Sequence, residues 1–170
     1  MIGEVEIHSA PEIDAALRET LEAWFKEQFG HVQYHWADPD WYVVVSCDGK
    51  PAGRAGIFER TISIDGIAVQ VGGIGGVATR SEWRNRGVAS RAMRSAADFI
   101  ARKLHAPFGL LLCRPAVAPV NAKLGWEKVE GPTTFAQAGG LVTYPDLTMA
   151  LECGDARWPA GPINLCGLPW

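Results

Sequence analysis

The sequence predicts an α/β (α+β) fold: a mixed, mostly antiparallel central sheet flanked by helices. Three observations predict it. Two Asp-Gly pairs, Asp48-Gly49 and Asp65-Gly66, separate β-branched runs and tie them into an antiparallel meander. One amphipathic helical stretch precedes the meander and another follows it. Behind the second helix lies Phe108 to Cys113, a fully apolar run of the kind found in strands buried on both faces. The 170 residues are 48% apolar and 21% charged, which excludes a disordered or collagen-like chain. We read residues 1–170 as a single domain with an extended tail from about residue 152.

The elements follow in order. Glu4 to His8 alternates as a short strand. Ser9 then reads as an N-cap, with Pro11 in the first turn and Glu12 closing a capping box. Ile13, Leu17, Leu21, Trp24, Phe25 and Phe29 keep helical spacing up to Gly30. Those aromatics suit a helix core better than a binding stripe. Residues 31–40 form a loop rich in His, Trp and Asp. Trp41 to Cys47, Pro51 to Ile64 and Ile67 to Thr79 are the meander strands. The third carries Gly72, Gly73, Gly75 and Gly76, so a bulge or a close backbone approach is expected there. A helix is expected from about Gly87 to Lys103, then the apolar strand. Pro115 to Leu124 reads as a short helix interrupted at Pro119, Trp126 to Val129 as a strand, and Leu141 to Leu151 as the last strand.

Charge is uneven. The chain totals −3, yet Arg80, Arg84, Arg86, Arg91, Arg94, Arg102 and Lys103 face only Glu82 and Asp98 in their window. That window is +5 and the remainder −8. Such a local excess suits one polyanionic ligand better than nucleic acid spread along a face. A solvated basic helix accounts for the charge equally well. Cys47, Cys113, Cys153 and Cys166 form no metal-like or disulfide pattern and read as reduced, mostly buried thiols. No stretch reads as a signal peptide or a membrane span, so a cytoplasmic protein without nucleic-acid or membrane partners is expected.

Chemistry concentrates in Val77-Ala78-Thr79-Arg80-Ser81-Glu82-Trp83-Arg84-Asn85-Arg86-Gly87-Val88-Ala89-Ser90. A strand ends, a turn follows, and a helix opens at Arg84-x-x-Gly87-x-Ala89. A helix N-terminus presents unpaired N–H groups and partial positive charge. Gly87 lets a bulky anion approach, and small Ala89 does not obstruct it. In physical terms this is a pyrophosphate site, with Arg84 and Arg86 adding charge-assisted hydrogen bonds.

Motif and architecture together resemble the GNAT superfamily of N-acetyltransferases over residues 4 to 151. The resemblance implies a GNAT-like sheet and acetyl-CoA as acetyl donor. Its pyrophosphate would lie on Arg84, Asn85, Arg86, Gly87, Val88, Ala89 and Ser90, and its pantetheine arm along Val77, Ala78 and Thr79. Gly76, Val77, Ala78, Arg80, Trp83 and Arg84, then Gly125-Trp126, Gly131-Pro132-Thr133, Trp158-Pro159-Ala160-Gly161 and Trp170, resemble the aminoglycoside 2'-N-acetyltransferases. The Trp-x-Ala-Gly tail is also similar to nodulation N-acyltransferases. The resemblance implies a cationic aminosugar as acceptor, antibiotic resistance as the biological setting, and a Trp170 α-carboxylate in the acceptor pocket. It admits a homodimer.

Two positions depart from the family pattern. Gly75 stands where the family carries an acidic base, and Asn121 where it carries a catalytic Tyr. Asn can hydrogen-bond a leaving thiolate without protonating it. The expected reaction is direct attack of a neutral amine on the thioester, with the Val77 N–H polarising the carbonyl. The proton acceptor would be the Trp170 carboxylate, Asp38 or Asp40. Trp36 and Trp41, beside those acids, suit stacking on the acceptor and core packing equally well, and Gly75 and Gly76 would border the acceptor. His31 and His35 have helical metal spacing but sit in a loop without a third ligand, so no metal is expected. Cys113 reads as a buried bystander rather than an acyl carrier. Two other readings stay open: an N-acyltransferase for another small amine, and a CoA-binding module without turnover.

Overall fold

The computed structural model describes residues 1–170, with every side chain but that of residue 2. The elements are β1 (Ile2–Ser9), α1 (Ala15–Phe29), β2 (Trp41–Cys47), β3 (Lys50–Ile64), β4 (Ile67–Thr79), α2 (Val88–Arg102), β5 (Phe108–Cys113) and α3 (Ala118–Ala122). They continue with β6 (Glu127–Lys128), β7 (Thr133–Gln137), β8 (Gly140–Thr143), β9 (Leu147–Glu152) and β10 (Ile163–Asn164). The strands form one curled sheet in the order β6-β9-β5-β4-β3-β10-β7-β8, with β1 and β2 added on the early half of β3. Pairing is antiparallel except β4 with β5 and β10 with β7.

The meander forms as its sequence dictates. In each Asp-Gly turn both central residues are left-handed: φ is 49° and 74° at Asp48 and Gly49, and 50° and 79° at Asp65 and Gly66. That is the hairpin geometry whose twist matches the flanking strands. Side chains then alternate across the sheet. Val43 and Val45 pack with Val88, Ala92, Met93, Ala96 and Ile100 of α2. Tyr42 and Val44 pack on the opposite face with Leu21 and Trp24 of α1. A third cluster joins Phe58, Ile62, Phe135 and Leu165 to Trp170.

The glycine run of β4 divides between these faces. A Cβ on Gly72 would lie 2.5 Å from the Ile100 side chain, and one on Gly73 would lie 2.4 Å from the Trp170 indole. Bare backbone at the first lets α2 seat; at the second it seats the chain end.

Several expectations need correction. Helix α1 starts at Ala15, not after Ser9. The Ser9 hydroxyl does donate to Glu12, at 2.6 Å, but inside a turn. The cap is Asp14, whose carboxylate accepts from the Leu17 N–H at 3.0 Å. Pro119 opens α3 rather than interrupting it, since a first-turn proline leaves no helical acceptor unsatisfied. The single strand expected over Leu141 to Leu151 is two, β8 and β9, parted at Pro145, which has no N–H to give a ladder. β8 turns back on β7, a strand the sequence reading missed. The tail is not merely extended. Its β10 enters the sheet between β3 and β7, and Trp170 is buried. Of the four free thiols, Cys47 and Cys113 are buried, Cys153 is half-buried, and Cys166 is exposed.

Candidate active site

Strand β4 pairs with β5 only at Val71, Gly72 and Gly73, opposite Phe108, Gly109 and Leu110. Beyond that point β5 stays with β9, while β4 continues to Thr79 beside β3. The two parallel strands therefore part, and the Gly75–Thr79 backbone has no strand on its β5 side. Its other side carries a β-bulge: Gly56 faces Gly75 and Arg54 faces Ala78, so Gly76 and Val77 together oppose Ala55. Gly76 takes φ 59°, which a side chain would resist. The bulge re-aims the backbone at Val77, next to the opening.

Past Thr79 the chain makes one turn of 3-10 helix, Ser81–Trp83. Asn85 and Gly87 then adopt φ 59° and 80°. A Cβ on Gly87 would touch nothing within 4 Å, so left-handed backbone rather than crowding selects glycine. Gly87 caps α2 without any side-chain cap bond. The first helical bond there is Arg91 N–H to the Gly87 carbonyl, 3.0 Å. The amides of Val88, Ala89 and Ser90 accordingly have no intrahelical acceptor. Arg84, whose Nε donates to the Thr79 carbonyl at 3.4 Å, and Arg86, stacked 5.1 Å from the Trp83 ring, are both exposed beside them. Uncapped amides, helix dipole and two guanidiniums can hold a polyanion.

On the α1 face of β4 lies a cleft of about 600 Å³. Phe25 and Glu22 of α1, Trp36 and Asp38 of the 31–40 loop, Arg54 and Phe58 of β3, and Gly75 and Gly76 of β4 line it. Trp170 closes one side. Its indole stacks on Phe58 with ring centres 5.8 Å apart, lies 4.9 Å from the Arg60 guanidinium, and donates to the Leu110 carbonyl at 3.2 Å. Arg60 also donates to the carbonyls of Leu165 and Leu168, and burial lowers its pKa. The Ala37 N–H bonds the Pro169 carbonyl at 2.8 Å, tying loop to tail. A Cβ on Gly75 would lie 2.6 Å from the Trp170 carbonyl carbon. Only a glycine admits that approach.

The residues expected around the acceptor thus divide. Trp36, Asp38, Gly75, Gly76 and Trp170 share this cleft. Asp40 does not line it; its carboxylate accepts the Glu59 N–H at 2.8 Å. Val77, Ala78 and Thr79 sit at the bulge, with Ala78 buried towards α1 and the Thr79 hydroxyl buried without a partner. Asn121 is buried in α3, where its side chain hydrogen-bonds Cys113. Burial still pushes that thiol up, so Cys113 stays protonated near neutral pH. His35 is held through its backbone by Gln137, at 2.9 and 3.0 Å. Among the described residues, no three His, Cys, Asp or Glu side chains gather as a metal site, and no helix is long and apolar enough to cross a membrane.

Sequence reasoning missed Arg54, Phe58 and Tyr42 as cleft residues; an arginine inside Gly53-Arg54-Ala55-Gly56 was the one visible signal. It also passed over Tyr144. Burial, then Asp146, pushes that phenol up to about 12. The folded state holds the proton more tightly than the unfolded chain. Stability from it is full below the unfolded value of about 10 and is lost as pH rises towards 12. We expect tyrosinate absorbance to show Tyr144 ionising well above the ordinary phenol value, with unfolding made easier above pH 10. Ionisation of Tyr144 near 10 would contradict this.

Parted parallel strands beside an uncapped helix leave an open β4 edge leading to a polyanion site. The sequence matches the acetyltransferase (GNAT) domain over residues 12–129, and the chain belongs to that family. It is 24% identical to an aminoglycoside 2'-N-acetyltransferase of Mycolicibacterium fortuitum over 150 residues, 87% of this chain and 74% of that one. Escherichia coli ElaA has a similar fold, with TM-score 0.66 and 15% identity over 89% of this chain and all of its own. So does the Escherichia coli GNAT family N-acetyltransferase YhbS, solved in complex with CoA: TM-score 0.61, 16% identity, 99% of this chain and 96% of that one.

Proposed function

We propose that this enzyme transfers an acetyl group from acetyl-CoA to an amine of an aminoglycoside-type sugar. Such transfer would make it an antibiotic-resistance enzyme. The main chain of Trp170 lying against Gly75 carries the reading: an α-carboxylate on Trp170 would stand beside the position where the family pattern has a side-chain acid. Pyrophosphate would rest on the amides of Gly87 to Ser90, with Arg84, Asn85 and Arg86 around it. Pantetheine would add to β4 along Val77 to Thr79, taking the backbone bonds left open where β5 departs.

The Val77 N–H would polarise the thioester carbonyl. An α-carboxylate on Trp170 would hold the acceptor ammonium and take its proton, Asp38 assisting from the loop. The freed amine nitrogen then attacks the carbonyl carbon; the C–N bond forms, the C–S bond breaks, and the second proton that the nitrogen sheds on becoming an amide passes to solvent. Coenzyme A leaves as thiolate, tolerable for a thiol whose unperturbed pKa is about 8.5. Asn121 would hydrogen-bond the departing sulfur with the part of its amide that Cys113 does not use.

Thiol release from acetyl-CoA tests the reading over a panel of gentamicin-class and kasugamycin-class aminoglycosides, simple aminosugars and unrelated small amines. Release with aminosugars and none with alkyl amines is the expected result. Release only with unrelated amines would move the substrate class, and coenzyme A binding without any release would remove the catalytic reading.

A further inference from the structure

Among the described residues, Arg54 is the only charged side chain fully withdrawn from solvent, at 2% exposure. It lines the acceptor cleft. Its Nη1 donates to the Leu21 carbonyl at 3.3 Å, and the Phe25 ring lies 5.0 Å from the guanidinium carbon. Its Nε is buried with no hydrogen-bond partner. No ion pair within 4.0 Å includes it among the described residues. Glu22, the acid whose charge it feels, receives the Tyr42 hydroxyl at 3.3 Å instead.

A buried cation without a carboxylate is costly. Its orientation is informative. With Nη1 committed to Leu21, the side-on fork of Nε and Nη2 remains, the edge that engages a planar carboxylate through two parallel bonds. Nη2 lies beside Gly76, 3.3 Å from where a Cβ would stand. A side chain at 76 would therefore crowd that edge. Gly76 and Gly75 are neighbours on β4, so fork and Trp170 main-chain end border one cleft at adjacent positions.

We propose that the acceptor is zwitterionic: its amine faces the Trp170 end of the cleft, and a carboxylate on the same molecule pairs with the Nε–Nη2 edge of Arg54. The proposal rests on reading this cleft as the acceptor site. It narrows the substrate class from cationic aminosugars to those bearing a carboxylate as well. Burial lowers the Arg54 guanidinium to about 10, and a bound anion supplies the charge that restores it.

The test uses a matched pair, glucosamine and 2-amino-2-deoxyglucuronic acid, which differ by the C6 carboxylate. Thiol release and thermal stabilisation of the coenzyme A complex are measured for each, on the wild type and on Arg54→Gln and Arg54→Lys. The wild type should favour the aminouronic acid roughly ten- to hundredfold in kcat/KM, the worth of a charge-assisted pair. It should be stabilised selectively by that sugar. Arg54→Gln should lose the preference and Arg54→Lys keep part of it, with coenzyme A affinity reporting that both fold. Equal turnover of both sugars overturns the carboxylate assignment and leaves the acetyltransferase reading standing. Selective stabilisation by the aminouronic acid without turnover does the reverse. A wild type that neither binds nor acetylates either sugar, or a preference that survives Arg54→Gln, overturns the assignment.

Discussion

Trp170→Ala should destabilise the fold by roughly 3–5 kcal/mol, the usual result of emptying a large aromatic site. The indole is 5% exposed, stacks on Phe58, lies under Arg60 and hydrogen-bonds Leu110. Its loss opens a cavity over Gly73 and removes the ring from the Arg60 guanidinium. Urea unfolding measures this, and an unchanged midpoint would mean that the tail packs elsewhere in solution. Deleting Leu168 to Trp170 should give the same loss and abolish acetyl transfer to aminoglycosides. Adding a single glycine after Trp170 separates stability from chemistry. It keeps the indole and moves the proposed carboxylate by about 3.8 Å. Stability should hold while kcat falls about a hundredfold, as misplacement by an ångström or more commonly does. Full turnover by the extended chain would remove the carboxylate from the mechanism.

Gly76→Val should cost a similar factor in turnover by another route. At φ 59° a β-branched residue is strained by roughly 1–3 kcal/mol, and its Cβ would start 3.1 Å from the Phe25 ring. We expect the bulge to relax into regular pairing, turning the Val77 amide away from the thioester. Removing one such donor typically lowers kcat about 10²- to 10³-fold. Coenzyme A affinity should fall less than kcat, since the turn before α2 is a separate segment and only the contacts along Val77 to Thr79 are disturbed. A loss of coenzyme A binding equal to the loss of kcat would show that the bulge serves the coenzyme instead of the carbonyl.

What the sequence reveals here depends on how local the cause is. Asp48-Gly49 and Asp65-Gly66 encode their own turns, so the meander was legible. The bulge was legible because glycines at 72, 73, 75 and 76 have no local reason to be there. Their individual reasons were not, because Ile100 and Trp170, which fill the vacated space, come from distant parts of the chain. Asp38 and Asp40 look alike in sequence, yet pairing with the Glu59 amide occupies the second alone. Arg54 became a cleft residue only through strand alternation and the arrival of α1 above it. Short β7, β8 and β10 carry too few residues for periodicity to register; their partners define them.

The parting of β4 from β5 has a consequence for solubility. A strand with unsatisfied N–H and C=O groups ordinarily invites another polypeptide to zip onto it, the first step towards aggregation. Here the bare stretch is an inside corner, sealed at one end by the pairs at Val71 to Gly73. The open stretch is short, Gly75 to Thr79, so an incoming strand would find few bonds to make there, while a slender flexible tether needs no more. The wedge can thus keep its backbone perpetually available without becoming adhesive.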